Sequence, residues 1–287
     1  MSYFRQYDRD GLDRQYRLRD IVPDALTLMD EGTRISAKIR AARTCQLDVP
    51  YGPTAGQKLN IFPSTKRRAP IHVFIHGGYW HRLDKNDFDY LADGLVPLGC
   101  HFVNVNYDLA PLVTVPEIVR QVRSALAYVW EHAAEFGGDR DHIYVSGHSA
   151  GGHLTASVAI TDWPQFKPGL PPNLVKGATP ISGIYDLEPI RLCYLNEQVR
   201  LDEKQVADAS PMRHVPARAL PTVALCVGGD ETDEYKRLQA EFLAALKSKG
   251  HSASEIPAPG LHHFNVVMTL GELGSTLNSA VKRQMGL

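Results

Sequence analysis

Ile143-Tyr144-Val145-Ser146-Gly147-His148-Ser149-Ala150-Gly151-Gly152-His153 reads as a strand, a sharp turn and the opening of a helix. Ile143 to Ser146 is a short apolar run of strand type, and Ala150 to Ile160 has helical character. The turn between them fits G-x-S-x-G, in which small flanking residues let strand and helix approach while a strained backbone pushes the serine Oγ outward. The pattern alone is weak; the strand before it and the helix after it supply the specificity. The helix amino terminus adds positive potential beside any anion formed there. Ser149 is therefore the candidate nucleophile. The plainer alternative is a serine that merely caps a helix in a glycine-rich turn, and the strand–turn–helix setting disfavours it. His148 and His153 are expected to pack or support, since so sharp a turn aims His148 away from Oγ and His153 lies one turn into the helix.

Outward from this turn the chain alternates strands and helices. Strands are predicted at 46–49, 58–62, 71–75, 102–105, 175–181, 222–227 and about 253–256. Helices are predicted at 24–43, 88–98, from Pro116 onward, and 233–249. Short apolar strands between amphipathic helices imply a mostly parallel central sheet covered by helices on both faces. With the serine turn, this predicts the α/β-hydrolase fold over 1–287 as a single domain. The rhythm breaks at 187–220, which carries Pro189, Pro211 and Pro216. That insertion and the N-terminal segment 1–45 are expected to form a small cap over the carboxyl ends of the strands, where such folds place ligands.

His76-Gly77-Gly78-Tyr79-Trp80 follows the 71–75 strand. A glycine-rich loop there supplies backbone N–H groups to an oxyanion, joined by the residue after the nucleophile. The expected donors are Gly78, Tyr79 and Ala150, with His76 bracing the loop and Trp80 either touching substrate or packing the loop. The base must be a histidine with a pKa near neutrality, and His262 and His263, after the last strand, both qualify. The acid should follow the 222–227 strand, where Asp230, Glu231, Asp233 and Glu234 are all available.

Composition excludes several other classes. The 287 residues are 44% apolar and carry a formal net charge of -1, which gives no electrostatic case for nucleic acid or an anionic membrane. No apolar run reaches the length of a membrane helix, and the polar start lacks a signal-peptide core, so a cytoplasmic protein is expected. Cys45, Cys100, Cys193 and Cys226 are too scattered for a disulfide framework or a thiolate metal site. The histidines lack the i, i+4 spacing of a zinc helix, so no metal and no organic cofactor is expected. The pattern leaves a homo-oligomer open. An inactive relative that only binds a small ligand would need a broken catalytic set, and serine, carboxylate and histidine are all present.

With these pieces placed, the sequence resembles the kynurenine formamidase (arylformamidase) group of α/β-hydrolases and its bacterial carboxylesterase-like relatives. The likeness rests on His76 to Trp80 (H-G-G-x-W), Asn106 to Pro111, Gly147 to His153 (G-H-S-A-G-G-H), Val227 to Tyr235 and His262-His263-Phe264-Asn265, with Tyr7-Asp8 through Val22-Pro23 also similar to bacterial members. The resemblance implies Ser149 as nucleophile, His263 as base because it directly precedes the phenylalanine, and Glu231 in the place of the acid. Many relatives have aspartate at that position, which keeps Asp230 as an alternative. It also implies a small-molecule substrate, an amide or ester with an aromatic part, cleaved through an acyl-enzyme. Removal of an N-formyl group from an aromatic amine is the first expectation and short-chain carboxylester hydrolysis the second.

Overall fold

Along each central strand, alternate side chains enter two different cores, as the period of two in a pleated strand requires. Ile71, Val73 and Ile75 face one side with Val103, Val105, Ile143, Val145 and Leu225, while Phe74 faces the other with Phe102, Tyr144, Ile181 and Cys226. The computed structural model describes residues 3–287. Eight strands form one sheet: β1 (Gln46–Pro50), β2 (Lys58–Phe62), β3 (Ala69–Ile75), β4 (His101–Val105), β5 (Gly138–His148), β6 (Val175–Ile181), β7 (Thr222–Cys226) and β8 (Ala253–Ile256). Their order across the sheet is β1-β2-β4-β3-β5-β6-β7-β8. Pairings β1–β2 and β2–β4 are antiparallel and the rest are parallel. This is the α/β-hydrolase architecture.

The helices Val115–His132, Ala150–Ala159 and Asp233–Ser248 cover the first face, and Ala25–Ala42, Ala92–Leu95 and Thr276–Gln284 cover the second. Val115–His132 starts cleanly because Thr114 accepts the Glu117 N–H and Pro116 occupies the first turn, where its missing N–H costs nothing. It buries Ile118, Val122, Ala125, Leu126 and Val129 on one stripe.

The continuous helix expected over 88–98 does not form. Asp89–Leu91 and Val96–Leu98 are 3₁₀ turns on either side of one α-turn, Ala92–Leu95. Pro97 has no N–H to extend the ladder. Gly94 is there because the Leu270–Gly271 backbone passes so close that a Cβ would lie 2.5 Å from the Leu270 carbonyl oxygen. The C-terminal helix Thr276–Gln284, which the sequence reading omits, is capped by Ser275 and closes the second core with Leu277 and Val281.

The segment 187–220 folds as short turns of helix, Glu188–Leu192, Asn196–Val199, Glu203–Ala209 and Pro211–His214. The N-terminal segment gives Arg9–Tyr16, Leu18–Ile21 and Ala25–Ala42. Among the described residues no helix is long and apolar enough to cross a membrane. No group of three potential metal-ligating side chains occurs among them either.

His72, in the middle of β3, is fully buried and bonds through Nε2 to Ser146 Oγ at 2.7 Å. Burial pulls its pKa down to about 3, so the folded protein holds it neutral where an unfolded chain would protonate it. The unfolded state then binds more protons below about pH 6.5, and stability falls as pH drops from there toward 3. We expect urea midpoints to fall from pH 6.5 to pH 4. His72→Val should remove close to one proton from that slope, ~1.4 kcal/mol per pH unit.

Candidate active site

Ser149 sits between β5 and the Ala150–Ala159 helix with φ 59° and ψ -117°, a conformation costly for any residue with a Cβ. The turn is held by the Ser149 N–H, which donates to the Ile181 carbonyl on neighbouring β6 at 2.9 Å. It is permitted by glycine: a Cβ on Gly151 would lie 2.0 Å from the Ile75 carbonyl oxygen, and one on Gly147 2.4 Å from the Gly151 carbonyl oxygen.

The loop after β3 runs beside this turn. Gly78, Tyr79 and Trp80 all have positive φ, at 108°, 49° and 60°. The Gly78 carbonyl accepts the N–H groups of His81 and Arg82, and the Trp80 carbonyl accepts that of Ala110. His76 braces the loop: its ring bridges the Gly77 carbonyl and Asn106 Oδ1 and stacks on Tyr107 at 4.3 Å. Among the described residues the backbone N–H groups of Gly78, Tyr79 and Ala150 donate no hydrogen bond, which leaves all three available to a ligand oxygen.

Behind the serine, His263 Nδ1 donates to Glu231 Oε2 at 2.7 Å, with the Glu231 carboxylate fully buried. Glu231 Oε1 accepts from Ser182 Oγ at 2.5 Å and from the Gly228 N–H at 2.8 Å, so both oxygens are fixed. The neighbouring Asp230 is exposed. His262 turns the other way, its Nδ1 accepting from the Phe264 and Asn265 N–H groups and its Nε2 lying 3.4 Å from Asp24. The His263 ring lies between the rings of His148 and Tyr235, at 4.5 and 4.6 Å. Burial, together with the adjacent His263, drives the His148 pKa well below its usual value, so a second positive charge does not form beside His263.

Ser149 and His263 line one cleft of about 340 Å³ with Gly78, Tyr79, Phe88 and Phe264. Both residues line that cleft, and contacts between a nucleophile and its base often tighten only when substrate binds. Tyr235, quoted above only as part of a motif, donates its hydroxyl to that of Tyr79 at 2.9 Å. Tyr79 in turn donates to the Tyr16 carbonyl at 3.0 Å, and Tyr194 donates to the same oxygen at 3.1 Å. The N-terminal segment thus becomes a wall of the cleft. Sequence reasoning missed Ser182, Tyr16 and Tyr194; of these only Ser182 left a trace, as a polar residue at the carboxyl end of a strand.

Trp80 is not at the cleft, which corrects its expected role as a substrate contact. It is fully buried and donates Nε1 to His153 Nδ1 at 3.2 Å. His153 must then carry its proton on Nε2, which donates to the Ala209 carbonyl at 2.7 Å. Burial lowers the His153 pKa to about 4. One neutral imidazole therefore joins the loop after β3, the helix after Ser149 and the 187–220 insertion.

The model of the BD-FAE family matches residues 59–240. Kynurenine formamidase of Salmo salar is 31% identical over 100% of this chain and 99% of its own length. Esterase LipQ of Mycobacterium tuberculosis is 31% identical over 78% of this chain and 58% of its own. A crystal structure from Silicibacter sp. tm1040, provisionally described as a thioesterase, superposes with a TM-score of 0.82 at 27% identity, covering 93% of this chain and 97% of that one.

Removing the Trp80 N–H should leave His153 Nδ1 buried without a partner. We expect Trp80→Phe to destabilise the protein by about 1–3 kcal/mol, read as a lower urea midpoint at pH 7.

Proposed function

The chain is a kynurenine formamidase-like α/β-hydrolase and belongs to the BD-FAE family, and on that premise we propose that it is a serine hydrolase working through an acyl-enzyme, with arylformamidase-type substrates. The observation that carries this reading is the buried Glu231–His263 bond opening onto the same cleft as Ser149. In this reading Ser149 Oγ attacks the substrate carbonyl as His263 Nε2 takes its proton. Glu231, fixed by Ser182 and Gly228, keeps the Nδ1–H tautomer and stabilises the imidazolium. The N–H groups of Gly78, Tyr79 and Ala150 receive the oxyanion. His263 then protonates the leaving amine or alcohol, and water, activated by the same histidine, releases the acid.

The aromatic walls Phe88, Tyr90, Tyr194 and Phe264 support an aromatic portion of the substrate. A second reading, a short-chain carboxylesterase, is favoured by the likeness to the mycobacterial esterase.

Ser149→Ala and His263→Ala should each lower kcat/KM by on the order of 10⁴ or more, while His262→Ala should stay within about threefold of wild type. Glu231→Gln should cost on the order of 10²–10⁴, and Asp230→Asn little. Equal losses at Glu231 and Asp230 would remove Glu231 from the acid's place. The decisive assay compares N-formyl-L-kynurenine with a short-chain nitrophenyl ester, using Ser149→Ala as the blank. A far higher kcat/KM on the formamide is the expected result; turnover of the ester alone would leave the carboxylesterase reading.

A further inference from the structure

Tyr235 touches both the loop after β3 and the imidazole of His263, yet it is not among the residues that line the Ser149 cleft. Any part it plays there is therefore played through those neighbours. It lies in the first turn of the Asp233–Ser248 helix, shortly after Glu231, and is fully buried. That turn is fixed from several sides. Glu234 accepts from Arg237 through both carboxylate oxygens, at 2.9 and 2.7 Å, and from the Tyr16 hydroxyl at 3.2 Å. Its N–H donates to Gln15 Oε1.

The first neighbour is Tyr79. A carbonyl only accepts, so the Tyr79 hydroxyl uses its single hydrogen on the Tyr16 carbonyl at 3.0 Å. The hydrogen between the two phenols, 2.9 Å apart, must then come from Tyr235. Tyr79 needs such a hold. Its φ of 49° is uncommon for a residue with a Cβ, and among the described residues its N–H donates no hydrogen bond that would fix it. The second neighbour is His263. The Tyr235 ring packs on the imidazole at 4.6 Å and His148 packs on it at 4.5 Å. Glu231 fixes the Nδ1 atom alone, and the packed rings keep the imidazole from pivoting about that bond.

The hydroxyl is the informative atom. A phenylalanine would fill the same space and pack on His263 equally well. A buried hydroxyl costs free energy unless it is hydrogen-bonded, and the partner here stands in the loop after β3. We propose that Tyr235 is a positioning residue for acyl transfer: its hydroxyl sets Tyr79, whose N–H receives the oxyanion, and its ring sets the imidazole of His263. This role rests on the serine hydrolase reading.

The test compares turnover of a short-chain nitrophenyl ester and of N-formyl-L-kynurenine with binding of phenylboronate, whose tetrahedral adduct on a reactive serine reports the oxyanion geometry without turnover. Tyr235→Phe should lower kcat about tenfold, leave KM within about twofold and weaken phenylboronate about tenfold, with an unchanged circular dichroism spectrum. Tyr79→Phe should cost at least as much, and adding Tyr235→Phe to it should cost less than about twofold more, because both remove one hydroxyl–hydroxyl bond. The downfield proton resonance of His263 Nδ1–H should persist in Tyr235→Phe and broaden or vanish in Tyr235→Leu. Tyr235→Met takes its place should the leucine variant not fold. Wild-type kcat in Tyr235→Phe, a loss confined to KM, or losses that multiply in the double variant overturn the part of the hydroxyl. An unchanged resonance without the ring overturns the part of the ring. If the wild-type protein neither turns over either substrate nor binds phenylboronate, the hydrolase reading itself falls and takes this role with it.

Discussion

The strained backbone at Ser149 is the constraint from which the rest of the site follows. It exists only because β5 and the helix behind it meet at backbone distance, with Gly147 and Gly151 removing the side chains that would hold them apart. The Ile181 carbonyl then locks the turn to β6. Once that point is fixed, the sheet order determines what can reach it. The loop after β3, one neighbour of β5, brings Gly78 and Tyr79; the end of β6, the other neighbour, brings Ser182; β7 and β8 follow with Glu231 and His263. Groups scattered over some 190 residues converge because parallel strands end on one edge of the sheet.

Electrostatics on that edge are organised by keeping most imidazoles neutral. His148 and His153 are buried, and burial depresses the pKa of both. His263 alone among these three faces a carboxylate, and among the described residues that carboxylate has no other charged partner. The neutral rings serve in other ways: His148 packs on His263, and His153 ties three elements through two hydrogen bonds.

Much of this was legible in the sequence where a local pattern has a local cause. The strands follow from apolar runs, and the serine turn follows from glycine spacing between a strand and a helix. Glu231 could be separated from Asp230 only through resemblance, because two adjacent carboxylates differ in burial and not in type. The helix at 88–98 was misread because its apolar periodicity is real while Pro97 and the crowding at Gly94 interrupt the backbone. Trp80 stayed open between two roles because an aromatic residue in a glycine-rich loop has the same appearance whether it faces a ligand or a buried histidine. Tyr16 and Tyr194 carry no motif at all. Their positions arise from hydrogen bonds to residues far along the chain, which no window of sequence reveals.

The attachment of the N-terminal segment bears on the order in which the molecule is made. Thr232 Oγ1 donates to the Gln15 carbonyl, and the Glu234 N–H donates to Gln15 Oε1, across separations of 217 and 219 residues. The Tyr16 hydroxyl donates to Glu234 Oε2 at 3.2 Å, again in the far part of the chain. On the ribosome, the wall of the cleft emerges first, and its contacts to Thr232 and Glu234 wait until the strand and helix that flank Glu231 have been synthesised. A nascent chain can assemble its central strands well before then, yet it cannot present a finished cleft. Closing so long a loop late in synthesis keeps Ser149 without its complete surroundings until the rest of the protein is present.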